Sequence, residues 1–173
     1  MAPSDSVWYA ALTAEGIGRW NLTTSYPSSV VLPSCSASGS DVYCVGGTDQ
    51  NGNPVNSAFY ASLSPDGVGQ WIPTTAYPLP ATGQSCGASG GYVYCVGGAS
   101  TGGQTISYSN AVYYAKASST GVGTWGEAPD YPRDTGTNCA VTSGYIYCVG
   151  GFDDSAQGEN DIVNYAPLGS LTA

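Results

Sequence analysis

A cysteine pair with a fixed internal spacing occurs three times in this chain, and it limits the possible folds more than any other feature. The two cysteines stand nine positions apart in every copy, with a dipeptide of small residues midway between them. The copies use all six cysteines: Cys35 and Cys44, Cys86 and Cys95, Cys139 and Cys148. Two β-rich runs separated by such a dipeptide are typical of a β-hairpin with a two-residue turn.

The register of this hairpin predicts three local disulfides. With Gly90-Gly91 in the turn, Ser89 faces Tyr92 as a hydrogen-bonded pair, so Cys86 faces Cys95 at a non-hydrogen-bonded position. Cα atoms at such a position lie about 4.5 Å apart, near the short end of the range that a disulfide accepts. A metal site is the alternative, which the lack of histidine and of Cys-x-x-Cys disfavours.

A second pattern completes the repeat. In three copies an aromatic-Tyr-Ala run is followed by Gly-x-Gly, a tryptophan and then Tyr-Pro. A fourth copy begins at Asn164-Tyr165-Ala166 and stops before its Gly-x-Gly-x-Trp. The tryptophans Trp20, Trp71 and Trp125 recur at intervals of 51 and 54 residues. A period of about 50 residues indicates a tandem structural repeat.

Each full period predicts four short antiparallel strands. In the second unit we predict strand A around Cys86–Ser89, strand B over Tyr92–Val96, strand C over Asn110–Ala115 and strand D from Gly123 through Trp125. Alternation along strand B places Tyr94 and Val96 on one face, and Val93 and Cys95 on the other. Both faces are mostly apolar, as expected for the stacked blades of a β-propeller.

The repeat resembles the Kelch repeat, and the match covers nearly the whole chain. The resemblance rests on a diglycine that closes strand B, a tyrosine in strand C and a tryptophan in strand D. The matching residues are the diglycines Gly46-Gly47, Gly97-Gly98 and Gly150-Gly151, the tyrosines Tyr9, Tyr60 and Tyr114, and the tryptophans Trp20, Trp71 and Trp125. It implies a propeller related to the central domain of galactose oxidase. The Tyr-to-Trp gap is longer than usual and the paired cysteines are additional, so the variant resembles disulfide-bearing repeats of microbial surface proteins, including archaeal ones.

We therefore expect an all-β fold: a Kelch-type β-propeller segment of about three four-stranded antiparallel blades, with one disulfide per blade. The segment occupies residues 1–173 as one domain, with units at approximately 1–32 (partial), 33–83, 84–136 and 137–173 (partial). Propellers usually have about four to eight blades, and an open arc exposes apolar faces to water. We expect these faces to be covered in a homo-oligomer, either a ring or a filament, or by further blades of a longer chain.

Composition indicates the compartment and excludes some partners. The net charge is −9 with only three cations, so the surface cannot neutralise phosphates and we expect no nucleic-acid partner. No apolar run approaches the ~20 residues of a membrane span, so we expect no membrane insertion. Paired cysteines predict an extracellular or cell-surface location. Asn21, in the sequon Asn21-Leu22-Thr23, is a candidate glycosylation site. Because Met1 leads directly into a polar segment, we expect a processed form or a piece of a longer precursor.

Catalytic chemistry has few candidate residues. Without histidine there is no Ser-His-Asp triad and no histidine-bound zinc or copper, and we predict no catalytic residue, no cofactor and no metal site. The enzymatic alternative is a carboxylate pair for glycoside hydrolysis, drawn from Asp153, Asp154, Glu159 and Asp161. A solvated acidic loop is the competing interpretation.

Three inter-strand loops, at 48–57, 99–110 and 152–161, differ among the repeats, and we expect any binding specificity there. Residues 49–53 alternate oxygen ligands as a calcium loop does, but Pro54 stands where such a loop has glycine, and an ordinary turn is the alternative. Tyr108 lies outside the repeat pattern and is a candidate surface aromatic for a glycan.

The leading hypothesis for function is a non-enzymatic extracellular or cell-surface scaffold. It either self-associates as a ring or filament, or presents its inter-strand loops to a protein or glycan partner. The alternative is a fragment of a carbohydrate-active enzyme that uses the acidic loop.

Overall fold

The computed structural model is an all-β structure that describes residues 3–102, 105–142, 144–153 and 158–170. The strands are β1 (Trp8–Tyr9), β2 (Leu12–Thr13), β3 (Gly16–Ile17), β4 (Asn21–Leu22), β5 (Ser34–Ser38), β6 (Asp41–Val45), β7 (Ala58–Ser64), β8 (Gly67–Val68), β9 (Ile72–Pro73), β10 (Ser85–Ser89), β11 (Tyr92–Val96), β12 (Ala99–Gly102), β13 (Thr105–Tyr108), β14 (Val112–Ser118), β15 (Gly121–Val122), β16 (Gly126–Ala128), β17 (Thr135–Thr142), β18 (Tyr145–Asp153) and β19 (Gly158–Pro167). A 3₁₀ turn follows at Leu168–Ser170. Among the described residues no helix is long and apolar enough to cross a membrane.

These strands form three consecutive antiparallel sheets, preceded by a short strand group. Sheet 1 has the order β5-β6-β7-β8, with β9 also paired to β7, and sheet 2 repeats this order as β10-β11-β14-β15, with β16 on β14. Sheet 3 is β17-β18-β19. The N-terminal strand group consists of β1 paired with β4 and β2 paired with β3.

The predicted disulfide hairpins are confirmed in all three sheets. In sheet 2 Ser89 lies opposite Tyr92 and Cys86 opposite Cys95, as the turn position requires. The Cα atoms of the bridged cysteines are 4.1, 4.1 and 4.0 Å apart in sheets 1, 2 and 3. All six cysteines are paired, each with the other cysteine of its own hairpin.

The sheets pack face to face, and in sheets 1 and 2 the two faces of strand B belong to two different cores. In sheet 2, Val93 and Cys95 belong to the core shared with sheet 1, whereas Tyr94 and Val96 belong to the core shared with sheet 3. Hydrogen bonds from backbone to side chain repeat between neighbouring sheets: the Cys86 N–H donates to Ser34 Oγ at 2.8 Å, and the Cys139 N–H donates to Ser85 Oγ at 2.8 Å. The predicted two-sided burial of strand B is therefore present.

The prediction for strand D was wrong. Gly123 to Trp125 leave the ladder, and the fourth strand is β16, which begins after Trp125. The Gly121 corner turns the chain sharply (φ 107°), and the Gly123 N–H donates back to the Lys116 carbonyl at 2.9 Å. Trp125 points to the preceding sheet, where its Nε1–H donates to the Thr75 carbonyl at 3.1 Å. Packing across the interface, rather than strand pairing, therefore holds the tryptophan.

Two further details differ from the prediction. Strand C is β14, which starts two residues later than Asn110 and extends to Ser118, where it pairs with the Gly121 corner. Part of the expected loop 99–110 is a hairpin of its own, β12 with β13, in which Ala99 lies opposite Tyr108. Polar and larger side chains alternate along β13, as in a half-buried strand. A bridge between Thr82 and Ala99 joins this hairpin to the segment that precedes β10.

Candidate interaction surfaces

The outward side of sheet 3 is an exposed apolar surface, which we call the tail face. Its residues alternate along β18 and β19: Tyr145, Tyr147, Val149, Val163 and Tyr165. Tyr147 lies opposite Tyr165, and Val149 lies opposite Val163. The three tyrosine rings contact one another, with Tyr147 and Tyr165 stacked at 5.9 Å between centroids.

The two stacked tyrosines of the tail face have buried counterparts in sheet 1. Tyr147 corresponds to Tyr43 in the repeat and Tyr165 to Tyr60, and the Tyr43–Tyr60 pair is likewise stacked. Tyr43 is 2 % exposed and Tyr60 is 8 %, because sheet 2 covers them, whereas Tyr147 is 38 % exposed and Tyr165 is 69 %. The tail face thus has the composition of an internal interface with one side missing.

Contacts across the internal interface show what this missing side provides. The Tyr43 hydroxyl donates to the Ser118 carbonyl at the end of β14, at 2.8 Å. Thr75 Oγ1 donates to the Val122 carbonyl at 2.8 Å, and Thr24 Oγ1 makes the same bond to Val68 one sheet earlier. Sheets 1 and 2 therefore follow one repeated set of contacts.

Aromatic contacts repeat in the same way. Tyr77, of the Tyr-Pro motif, makes edge-to-face contacts with Tyr113 and Trp125 of the following sheet, with ring centroids 5.4 and 5.1 Å apart. Tyr26 makes the equivalent contacts one sheet earlier, with Phe59 and Trp71. Burial raises the pKa of Tyr26 to about 12 and also raises the pKa of Tyr77. Both hydroxyls therefore stay neutral up to a higher pH in the folded protein than in the unfolded chain.

The N-terminal strand group presents a second exposed apolar surface, which we call the head face. Its members correspond to residues that pack against a preceding sheet elsewhere in the repeat: Trp8, Leu12, Ile17 and Trp20. Ile17 is 64 % exposed, whereas its counterpart Val122 is 6 % exposed. Trp20 is 59 % exposed, while its counterparts Trp71 and Trp125 bond to a threonine carbonyl.

The variable loops meet at one cleft of about 720 Å³ between the sheet edges. Thr48, Tyr108 and Phe152 come from the three variable loops, and the Tyr108 and Phe152 rings lie 5.5 Å apart. Every described lining residue is uncharged. Gln84, also in the lining, is 4 % exposed and its Nε2–H donates to the Val45 carbonyl at 2.8 Å. This places Tyr108 at a site shared by three repeats rather than on an isolated loop.

The Asp49 segment is an Asx-type turn. Asp49 Oδ1 accepts hydrogen bonds from the N–H groups of Asn51 and Asn53, at 2.8 and 2.9 Å. The Asn53 N–H is the main cause of the lowered pKa of Asp49. Asp49 Oδ1 is therefore already engaged in hydrogen bonds with the backbone of its own turn. Among the described residues no group of three His, Cys, Asp or Glu side chains lies close enough to hold a metal ion.

The predicted acidic cluster is only partly within the described residues. Asp154 lies outside them. Asp153 and Glu159 are strand residues of β18 and β19, opposite Gly158 and Phe152 respectively, and Asp161 is an exposed residue of β19. The described backbone thus places these acids on paired strands rather than in one continuous loop.

The candidate glycosylation site lies in β4. Asn21 is exposed, and its Nδ2–H donates to the Arg19 carbonyl at 3.0 Å.

Sequence reasoning missed the role of the Gly-x-Gly corners and the Thr-Thr pairs, which it interpreted as backbone bends or left aside. The Val122 N–H donates to Thr74 Oγ1 at 2.9 Å, and the Val68 N–H donates to Thr23 Oγ1 at 3.0 Å. Both bonds join a glycine corner to the preceding sheet. The threonines recur at the same distance after each tryptophan in the first two copies, and this recurrence could have indicated their shared role.

No protein-family model and no curated protein matches the chain. Among the 145 matching chains of solved structure is YjhT, which superposes with a TM-score of 0.70 at 13 % sequence identity. The match covers 83 % of this chain and 45 % of the YjhT chain. The chain therefore shares its fold with part of YjhT and spans less than half of that structure's length.

Proposed function

We propose that this protein is a non-enzymatic extracellular scaffold of the β-propeller type, built from Kelch-like repeats, that self-associates through its end faces. Three intramolecular disulfides are compatible with an extracellular location. Face-to-face stacking of sheets with the strand order of a propeller blade supports the architecture.

The observation that carries the proposal is the exposed tail face. Internal sheets bury the counterparts Tyr43, Tyr60, Tyr94, Val45 and Val96, so these repeat positions are adapted to a covered face. Large contiguous apolar patches on a soluble protein mark an interaction site. Removal of this surface from water at about 25 cal/mol per Å² supplies the driving force for association.

Sedimentation velocity from micromolar to millimolar protein tests the proposal. We expect the average mass to rise with concentration. A replacement of both Tyr147 and Tyr165 with serine should abolish that rise without changing the far-ultraviolet circular dichroism. A wild-type chain that stays monomeric over the whole range would contradict self-association.

The non-enzymatic part of the proposal has a separate test. Replacement of Asp153, Asp154, Glu159 and Asp161 with their amides should leave assembly unchanged. The same variant and the wild type should be compared for cleavage of a panel of glycans. A glycan that the wild type cleaves and the variant does not would favour the enzyme fragment.

A further inference from the structure

One contact recurs at two of the internal interfaces, the one between the N-terminal strand group and sheet 1 and the one between sheets 1 and 2. It is a glycine corner packed on a tyrosine of the preceding strand group or sheet. A Cβ atom added to Gly121 would lie 3.2 Å from the ring of Tyr60 and would also meet the Thr74 hydroxyl. A Cβ added to Gly67 would lie 3.0 Å from the ring of Tyr9. The absence of a side chain at these corners is therefore what lets neighbouring sheets approach.

The head face and the tail face each carry one half of this contact without the other. Gly16 forms the same corner, with φ of 117° as against 107° at Gly121, but nothing lies within 4 Å of its Cβ position. Tyr165 occupies the position of Tyr60 and Tyr9, and no glycine corner among the described residues packs on it. The head face therefore offers a glycine corner without a tyrosine, and the tail face offers a tyrosine without a glycine corner. The two faces are complementary.

We infer that the partner of the tail face is the head face of a second copy of this chain. The Gly16 corner of one copy packs on Tyr165 of the other, and the Tyr147 hydroxyl donates to the Thr13 carbonyl, as Tyr43 does to Ser118. This inference rests on the proposed self-association and adds its direction. The contact joins two different surfaces, so it propagates until a ring closes or a filament forms.

The net negative charge of the chain makes this contact depend on ionic strength. The chain carries a net charge of −9, so two copies repel at low ionic strength. Added salt screens this repulsion, since the Debye length falls to roughly 8 Å at physiological ionic strength, while apolar contact is retained. Association through these faces should therefore strengthen as salt is raised from the low-millimolar range.

The test uses two variants that each disable one face, and a control with the same change in charge. Ile17→Asp disables the head face, Tyr165→Asp disables the tail face, and Leu79→Asp changes an exposed side chain in the connection between β9 and β10. All three replaced side chains are exposed, so folding should be retained, as checked by thermal unfolding. Tyr165→Ser substitutes for Tyr165→Asp if the latter does not fold.

We expect the head and tail variants to be monomers when alone and to form dimers, but nothing larger, when mixed in equal amounts. Leu79→Asp should associate like the wild type. If Ile17→Asp alone still dimerises, or if mixing restores nothing, the inference is overturned while self-association by another geometry stands. A monomeric wild type overturns both this inference and the proposed function.

Discussion

The interface between sheets 1 and 2 and the tail face of sheet 3 are built from the same repeat positions but have different surroundings. Tyr43 is 2 % exposed and its hydroxyl bonds to the next sheet, whereas Tyr147, its counterpart, is 38 % exposed. The local structure is otherwise alike, since both tyrosines lie beside a bridged cysteine in the middle strand of a sheet. Burial here is a property of the neighbour rather than of the residue.

Truncation of the two tyrosines should give the largest contrast. Tyr43→Ala leaves a cavity in the shared core and should lower the free energy of unfolding by about 3–5 kcal/mol. Tyr147→Ala removes a side chain that water already reaches and should cost less than about 1 kcal/mol. Urea denaturation at a concentration where the chain is monomeric measures both. Equal costs would mean that the two faces are equally covered and would break the comparison.

Alkaline pH should weaken the internal interfaces through their buried tyrosines. Because burial raises the pKa of Tyr26 from 10.0 to about 12, its contribution to stability is complete below pH 10 and is lost as pH rises towards 12. This amounts to at most roughly 3 kcal/mol. The rise in the pKa of Tyr77 and Tyr43 has the same sign.

The Tyr26→Phe variant provides the matched control for this titration. No described residue bonds to the Tyr26 hydroxyl, so the phenylalanine should fit without loss of a hydrogen bond. The free energy of unfolding, measured in steps from pH 9 to 12, should fall less steeply in the variant. Identical slopes would show that Tyr26 ionises as easily in the folded as in the unfolded chain.

Alanine substitutions at two glycine corners separate the cost of packing from the cost of backbone strain. We expect this difference in stability to be the smallest of the three contrasts. Gly121→Ala and Gly16→Ala both place a side chain at positive φ. Only the alanine at Gly121 also displaces Thr74 and Tyr60, which should cost about 1–3 kcal/mol more. Thermal unfolding of the monomeric variants gives the difference. A larger cost at Gly16 would contradict the open surroundings of the head face.

Local features were predictable from the chain wherever neighbouring residues decide them. The register of Cys86 with Cys95 follows from the two-residue turn, because pair types alternate from the turn outwards. The prediction of strand D failed because tryptophan is enriched in strands. The position of Trp125 is instead fixed by Thr75 and Tyr77, about 50 residues away in sequence. The cleft that joins Thr48, Tyr108 and Phe152 depends on three sheets together, so no single loop signals it.

Alternation and turn chemistry act over a few residues, and for that reason the amino-acid pattern alone specifies the hairpins, their disulfides and a sheet that is apolar on both sides. Which of those sides lies in water depends on what packs against it, and only the folded arrangement reveals that Tyr60 is covered while Tyr165 is not. Hydrophobic burial acts through space rather than along the chain. Equivalent repeat positions can therefore form a core in one sheet and an exposed surface in another.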